Sequence, residues 1–348
     1  KVYTDLVEYQ RDFCVSGRPT AGILFYRDEW VWGDLTYQTA MIEELEAQGV
    51  NAVCVFSNGM PLEEMGMPSL TQVFNSFFCT ADGVPAIDVL LNVMKFSMTT
   101  GGSINLDYLK KLNVPVLAAY TTIAPFEEWK DSFEGMNAME VSISVSLPEF
   151  DGIIHGVPIA HKKILENGDV RYLPNMERVK RMASKAKKWA MLRHKANSEK
   201  KIAIIFHNYP PRNSNIGSAI GLDTIESIRR VLAAMRERGY KVDWIPEDTK
   251  EFIKQLTANA TNDRSMLTEK QVDAAYKLTG AEYREFFALM DKKVQEQLVK
   301  DWGEAPGTVM EYDGDILVPG TMNGNVFVTV QPPRGFGEDP EKIYHDPY

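Results

Sequence analysis

The chain has 348 residues, of which 44% are hydrophobic and 25% are charged, so its composition is that of a globular protein and excludes a fibrous or disordered chain. The length predicts two domains, and the formal net charge of −10 argues against a nucleic-acid partner. No uncharged apolar run is long enough to cross a bilayer, which predicts that the chain has no membrane span.

The first part of the chain alternates apolar runs with helical patterns. Continuous apolar runs of this kind are typical of strands that are buried on both faces of a parallel sheet. The predicted strands lie at 21–26, 50–56, 86–93 and 114–120, and the predicted helices at about 34–48, 69–79 and 105–112. Parallel sheets bind ligands at the carboxyl ends of their strands. The predicted functional edge of this part is therefore formed by the loops at 27–33, 57–68, 94–103 and 121–128.

A β-element and a basic helix follow. Residues 140–172 are predicted to form an irregular β-element, and residues 174–196 a long helix rich in Lys and Arg. Trp189 is the only aromatic residue available on that helix, so its basic face is interpreted as solvated rather than as a nucleic-acid surface.

The alternation of strands and helices begins again near residue 200. Residues 202–206 predict a buried strand, 207–220 a loop, 222–238 a helix, and 241–245 and 325–330 two further strands. Residues 247–302 are rich in charged and polar residues and predict an inserted helical subdomain.

We therefore predict an α/β fold with two doubly wound, Rossmann- or flavodoxin-like lobes, parallel sheets and an inserted helical subdomain. The predicted domains are a first lobe with its terminal β-element at 1–172, a connecting basic helix at 173–200, and a second lobe at 201–348. The chain starts at Lys1 and ends at Tyr348 without a capped helix, which suggests a fragment of a longer protein.

The loop after the strand at 202–206 is the most unusual local feature. Its run from Asn208 to Gly217 contains two prolines and three asparagines and precedes a predicted helix N-terminus, whose free backbone N–H groups suit an anionic ligand. The run does not match the P-loop pattern for nucleotide phosphates. An ordinary strand–helix connection remains the alternative.

The stretch from Gln331 to Asp346 is the second candidate. Arg334 can pair with a carboxylate through two parallel hydrogen bonds. Other residues of the stretch could bind a metal ion or accept protons: Glu338, Asp339, His345 and Asp346. The alternative is a surface loop with scattered charges.

The chain has three cysteines, at positions 14, 54 and 79. Their spacing matches no metal-binding pattern, and their number is odd, which does not suit a complete set of disulfide bonds. They predict reduced thiols and a cytoplasmic location.

Several blocks taken together resemble the large, tetrapyrrole-binding subunit of the cobaltochelatase and magnesium chelatase family. The resemblance is carried by Arg18–Arg27 with Gly33-Asp34, and by the shorter segments 112–117 and 147–152. The two longest and most specific blocks are 201–217, with 221–223, and 324–340, with 345–347. The resemblance runs in order over about 18–348, as an internal fragment of a longer family chain.

The resemblance implies a metal chelatase, a ligase-type enzyme that inserts a divalent ion into a tetrapyrrole macrocycle in cobalamin or chlorophyll-type biosynthesis. Co²⁺ is expected more than Mg²⁺ as the metal substrate. The implied partners are an AAA+ ATPase subunit and its companion subunit, which hold ATP and Mg²⁺ and without which this chain is inactive.

The resemblance also implies roles for particular residues. The expected catalytic residues are Glu338, His345 and His207, and the expected substrate-binding residues are Asn208, Arg212, Asn213, Gln331 and Arg334. The metal ligands are not assigned. The alternative function is a non-catalytic, two-lobed module that binds a tetrapyrrole or another anionic small molecule.

Overall fold

A computed structural model describes residues 2–60, 63–99, 104–131 and 135–333. The chain divides into two compact units, Lys1–His194 and Lys195–Tyr348. The predicted domain boundaries at residues 172 and 200 stay a prediction. In the division by contacts, the basic helix belongs to the first unit.

The first unit contains nine α-helical segments and six strands in its described residues. Its helices are α1 Leu6–Phe13, α2 Arg27–Trp32, α3 Thr36–Ala47, α4 Leu70–Phe77, α5 Leu106–Leu112, α6 Phe126–Asp131, α7 Ala138–Val141, α8 Leu147–Glu149 and α9 Met176–His194. Its strands are β1 Thr20–Tyr26, β2 Asn51–Ser57, β3 Val89–Asn92, β4 Val116–Thr122, β5 Ile154–Ile164 and β6 Val170–Pro174.

The six strands form one sheet in the order β2-β1-β3-β4-β5-β6. The pairs from β2 to β5 are parallel, and β6 runs antiparallel to β5. Parallel strands put their carboxyl ends at one edge, so the segments after β1, β2, β3 and β4 lie at the same edge, as predicted.

Both faces of this sheet are covered, which explains the continuous apolar runs of its strands. One face packs against α3 and α9 through residues such as Met41, Leu45 and Met182. The other packs against α1, α4 and α5 through residues such as Leu6, Phe74 and Leu109.

The second unit is also mixed α/β. Its helices are α10 Thr224–Glu237, α11 Thr249–Leu256, α12 Glu269–Ala274, α13 Gly280–Ala288 and α14 Lys292–Trp302. Its strands are β7 Ile202–Phe206, β8 Tyr276–Leu278, β9 Glu311–Tyr312, β10 Asp315–Val318, β11 Gly320–Asn323 and β12 Val326–Val330. One three-stranded sheet has the order β11-β12-β7 and the other β8-β10-β9.

In the main sheet of this unit, β12 runs parallel to β7 and antiparallel to β11. Phe206, Leu232, Phe252 and Val328 lie in the core that forms against it. Within the described residues this sheet is smaller than a doubly wound lobe, so the prediction of a second lobe of that type is not confirmed.

Three local predictions are wrong. Residues 27–32 form helix α2 instead of a loop; Asp28 and Glu29 lie in its first turn and Gly33 ends it with a φ of 69°. The β-element predicted at 140–172 is wrong in its first part, which is helical up to Glu149 and begins with α7, capped by the Asn137 side chain. The rest of it contains strands β5 and β6, as predicted.

Residues 241–245 form no strand, because the side chain of Asn323 takes the place of a neighbouring backbone. Its Oδ1 accepts from the N–H groups of Asp243 and Trp244 at 2.8 and 3.0 Å, and its Nδ2 donates to the Trp244 carbonyl at 2.8 Å.

The region 247–302 is largely helical, as predicted, but it also contains strand β8, which pairs with β10. The three cysteines are free thiols, as predicted. In the described part of the chain, no helix has the length and apolar character needed to cross a membrane.

Candidate functional site

The two longest sequence blocks meet at the carboxyl ends of β7 and β12. These strands are parallel neighbours, with Phe206 opposite Val330. His207 and Asn208 directly follow β7, and Gln331 directly follows β12, where its N–H donates to the Phe206 carbonyl at 2.8 Å. Residues about 120 positions apart in the chain therefore lie side by side.

Asn208 holds the loop after β7 in place. Its side chain is 2% exposed, and its Nδ2 donates to the Arg212 carbonyl at 2.9 Å. Gln331 Nε2 donates to the Asn208 carbonyl at 3.4 Å, and the Gly217 N–H donates to the His207 carbonyl at 2.7 Å. The hydrogen bonds of Asn208 thus hold the loop in its closed form.

Asn262 joins the two strand ends and was missed by sequence reasoning. It is 1% exposed, and its Nδ2 donates to Asn208 Oδ1 at 3.2 Å and to the Gln331 carbonyl at 2.8 Å. Its buried Oδ1 has no hydrogen-bond partner in the part of the chain that the structure describes. In sequence, residues 261–263 resemble an ordinary break between helices, so the pattern carries no sign of this role.

The neighbours of Asn262 fix the next part of the loop. Thr261 Oγ1 donates to Asn213 Oδ1, and the Asn213 N–H donates to Asp263 Oδ2 at 3.4 Å. The Ser265 hydroxyl donates to Asp263 Oδ1 at 2.6 Å. This bond, followed by backbone N–H bonds from Asn213 and Ser265 and by the nearby Arg212 charge, lowers the pKa of Asp263.

His207 and Arg212 present exposed side chains at this cluster. His207 Nδ1 lies 3.4 Å from the Ser218 hydroxyl. An imidazole can transfer a proton and a guanidinium can bind an anion, so His207 and Arg212 offer both chemistries at this cluster. Arg334, Glu338 and His345, the other predicted site residues, lie outside the described residues.

The described residues contain no group of three or more His, Cys, Asp or Glu side chains that could hold a metal ion. The metal ligands therefore stay unassigned. The described cluster provides polar and cationic groups that can bind an anionic or hydrogen-bonding ligand.

The first unit has a second candidate region at its own functional edge. A cavity of about 730 Å³ opens where β1 and β3 end, and Glu29 and Lys95 line it. The sequence marked the loops that contribute to it but singled out neither residue. A single Glu or Lys in a loop is common and gives no signal in the sequence. Glu29 and Lys95 come to line one cavity only in the folded chain.

Comparison with known proteins gives a consistent result. A family model described as CobN/Magnesium Chelatase matches residues 1–348. An uncharacterized protein of Methanocaldococcus jannaschii is 40% identical over 341 residues, which is 95% of this chain and 28% of that protein. The aerobic cobaltochelatase subunit CobN of Pseudomonas aeruginosa is 30% identical over 98% of this chain and 27% of that protein.

A chloroplastic magnesium-chelatase subunit ChlH of Oryza sativa is 28% identical over 93% of this chain and 23% of its own length. The structure of the catalytic subunit of cobaltochelatase from Mycobacterium tuberculosis matches with a TM-score of 0.76 and 28% identity, over 95% of this chain and 28% of that one. The chain thus spans roughly a quarter of the length of these relatives.

Proposed function

The chain belongs to the CobN/magnesium chelatase family, and on that premise we propose that it forms part of a chelatase large subunit. In this proposal it helps to bind a tetrapyrrole macrocycle while a divalent metal ion is inserted in an ATP-dependent reaction. Identity to the cobaltochelatase subunit of Pseudomonas aeruginosa is 30%, against 28% for the Oryza sativa magnesium-chelatase subunit, so Co²⁺ is the metal substrate that we favour.

One observation carries this proposal beyond family membership. The two most specific blocks, 201–217 and 324–340, contribute adjacent parallel strands, and in the described part of the second block, 324–333, Gln331 shares the Asn208–Asn262–Gln331 network with the first. Segments that are distant in sequence and converge on one buried polar network support a common ligand site at the strand ends.

The chemistry of metal insertion assigns roles to these residues. The macrocycle must lose two pyrrole protons, which needs a base, and its carboxylates need cationic partners. We assign proton transfer to His207, Glu338 and His345, and carboxylate binding to Arg212 and Arg334. Asn208, Asn213 and Gln331 contact the macrocycle or hold the loop that does so, and their bonds within the network favour the second role.

ATP hydrolysis belongs to partner subunits in this proposal, an AAA+ ATPase and its companion. The sequence contains no P-loop pattern, which is in keeping with that division of labour. By this proposal the chain alone binds the macrocycle but does not insert the metal ion.

An absorbance titration with a free-base porphyrin carrying two carboxylates tests the binding step. We expect a saturable red shift of the main absorption band with the wild-type chain, and about tenfold weaker binding for Arg212→Ala, since a charged hydrogen bond is lost. Arg238→Ala, which removes another exposed arginine of the same unit, is the matched control. Absence of binding to the wild-type chain, or equal affinities for the two variants, would contradict the proposal.

A further inference from the structure

The cavity of the first unit lies where the connections of the sheet diverge. In the order β2-β1-β3-β4, the chain leaves β1 towards one side of the sheet and β3 towards the other. In open α/β sheets, ligands bind in the crevice outside the carboxyl ends of the two strands at such a point. The cavity volume of about 730 Å³ is in the usual range for a small-molecule site.

Glu29 lies in the first turn of α2, directly after β1, and only one of its two carboxyl oxygens has a hydrogen-bond partner in the described part of the chain. Its Oε2 accepts from the Tyr37 hydroxyl and from Gln38 Nε2, the latter at 2.6 Å. Oε1 makes no hydrogen bond within the described residues. Burial raises the pKa of Glu29 to about 7, so the carboxyl group is substantially protonated at neutral pH. Because Oε2 already accepts two bonds, Oε1 is the oxygen from which the protonated carboxyl group can donate a hydrogen bond to a ligand.

Lys95 follows β3 on another wall of the cavity. It is half-buried, and its Nζ forms neither an ion pair nor a hydrogen bond with any described residue. Burial lowers its pKa, although the charges of Glu140 and Glu29 oppose that shift. Such a desolvated ammonium group has no close hydrogen-bond acceptor among the described residues. A ligand that supplies an acceptor therefore stabilises it more than it would stabilise a hydrated ammonium group.

A second cation reaches the cavity from β6. Arg171 Nη1 lies 3.9 Å from Asp34 Oδ1, while Asp34 Oδ2 accepts the Tyr172 N–H at 2.9 Å. The long distance leaves most of the guanidinium donors of Arg171 available, and Asp34 is occupied by the backbone.

Two aromatic rings form the mouth of the cavity. Trp32 is 72% exposed and Phe96 is 51% exposed, unusual values for such large apolar side chains. Phe96 has a φ of 64°, a strained conformation for a bulky residue, and its N–H donates to the Ile143 carbonyl at 2.7 Å. Exposed flat rings of this kind favour a flat apolar partner.

We propose that this cavity binds a small organic carboxylate with a flat, apolar body. The carboxylate accepts hydrogen bonds from Lys95, Arg171 and the Glu29 hydroxyl, and the body lies against Trp32 and Phe96. This site is independent of the function proposed above, because all of its residues lie in the first unit and neither metal insertion nor a partner subunit is needed for binding.

The proposal implies a defined pH dependence. Several titratable and charged groups surround Glu29: Tyr26, Tyr37, Asp34, Cys54, Lys95 and Tyr172, with Glu140 and Arg171 beyond them. Two further carboxylates, Asp28 and Asp169, also line the cavity. A carboxylate ligand needs the protonated form of Glu29. Affinity is therefore highest below pH 7 and falls as the pH rises through about 7. Glu29→Gln keeps an N–H donor at every pH and removes this fall.

The test is a calorimetric titration of the chain with naphthalene-2-carboxylate, with naphthalene-2-carboxamide as the uncharged comparison. We expect the carboxylate to bind at least tenfold more tightly than the amide at pH 6. Lys95→Met and Arg171→Met should each weaken binding about tenfold, whereas Lys111→Met, an exposed control on α5, should not.

Equal affinities for carboxylate and amide, or absence of carboxylate binding to the wild-type chain, would overturn the proposal. Wild-type and Glu29→Gln proteins with the same fall in affinity between pH 6 and pH 8 would also overturn it. Because Gln has the size of Glu, this comparison remains informative even where Lys95→Met or Arg171→Met fails to fold, which circular dichroism would reveal.

Discussion

Asn262 offers the sharpest test of the network in the second unit. Asn262→Ala removes two hydrogen bonds, at 2.8 Å to the Gln331 carbonyl and at 3.2 Å to Asn208 Oδ1. The Asn208 oxygen would be left buried, and the Gln331 carbonyl partly buried, without this donor, at about 1–3 kcal/mol each. The variant also deletes an oxygen that has no partner among the described residues, which offsets a small part of the loss. We expect a total destabilisation of about 3 kcal/mol.

Hydrogen exchange read by mass spectrometry measures this effect where it occurs. A loss of about 3 kcal/mol corresponds to about a hundredfold faster exchange of the amides in β7 and β12, since 1.4 kcal/mol is a factor of ten. Asn215→Ala is the matched control, because it removes a solvent-exposed bond from Nδ2 to the Pro210 carbonyl in the same loop. Exchange in the Asn262 variant no faster than in the control would refute the reasoning.

Three further predictions concern stability and reactivity. Asp223→Ala removes the side-chain acceptor for the Glu226 N–H at the start of α10, so urea denaturation should show a loss of about 1 kcal/mol; an unchanged midpoint would contradict the capping role. Glu29 holds its proton up to a pKa of about 7 in the folded state, against an ordinary value of 4.5, so its contribution to stability is present at low pH and lost as the pH rises through about 7. The stability of Glu29→Gln relative to wild type should therefore increase from pH 5 to pH 8, and a constant difference would contradict the raised pKa. Cys54 is half-buried, and desolvation raises the pKa of its thiol to about 12, so iodoacetamide at pH 8 should label it much more slowly in the folded than in the unfolded chain. Equal labelling rates in the two states would contradict the raised pKa.

The strands of both units that carry continuous apolar runs could be predicted from the sequence. The runs at 21–26, 202–206 and 325–330 correspond closely to β1, β7 and β12. Burial on both faces explains the run in β1. The prediction that 202–206 is buried is wrong, because the residues of β7 before Phe206 alternate between half-buried and exposed, with Ile205 62% exposed. Helix α2 could not be predicted in the same way, since six residues are too few to show a helical period.

Other features depend on contacts that are distant in sequence. The strand expected at 241–245 is replaced by hydrogen bonds to Asn323, about 80 residues later. The segment Thr261–Asp263 has the composition of a turn, and its burial follows only from the return of the chain at Gln331. The raised pKa of Glu29 likewise depends on burial within the folded unit.

The placement of the predicted site residues that the structure describes could be predicted from the sequence, but their roles could not. His207, Asn208, Arg212, Asn213 and Gln331 follow strands that the sequence located well, and the structure brings them to one end of the sheet. Their individual roles stay predictions, as do those of Arg334, Glu338 and His345.

The proposed function makes this chain part of an enzyme that inserts a metal ion into a tetrapyrrole. The most direct measurement is metal insertion by the full-length protein together with its ATPase subunits, followed by the absorbance of the macrocycle with Co²⁺ or Mg²⁺. We predict ATP-dependent insertion, faster with Co²⁺, that Arg334→Ala and Glu338→Ala strongly reduce. A macrocycle that binds without ever receiving a metal ion, or wild-type rates in both variants, would contradict the account.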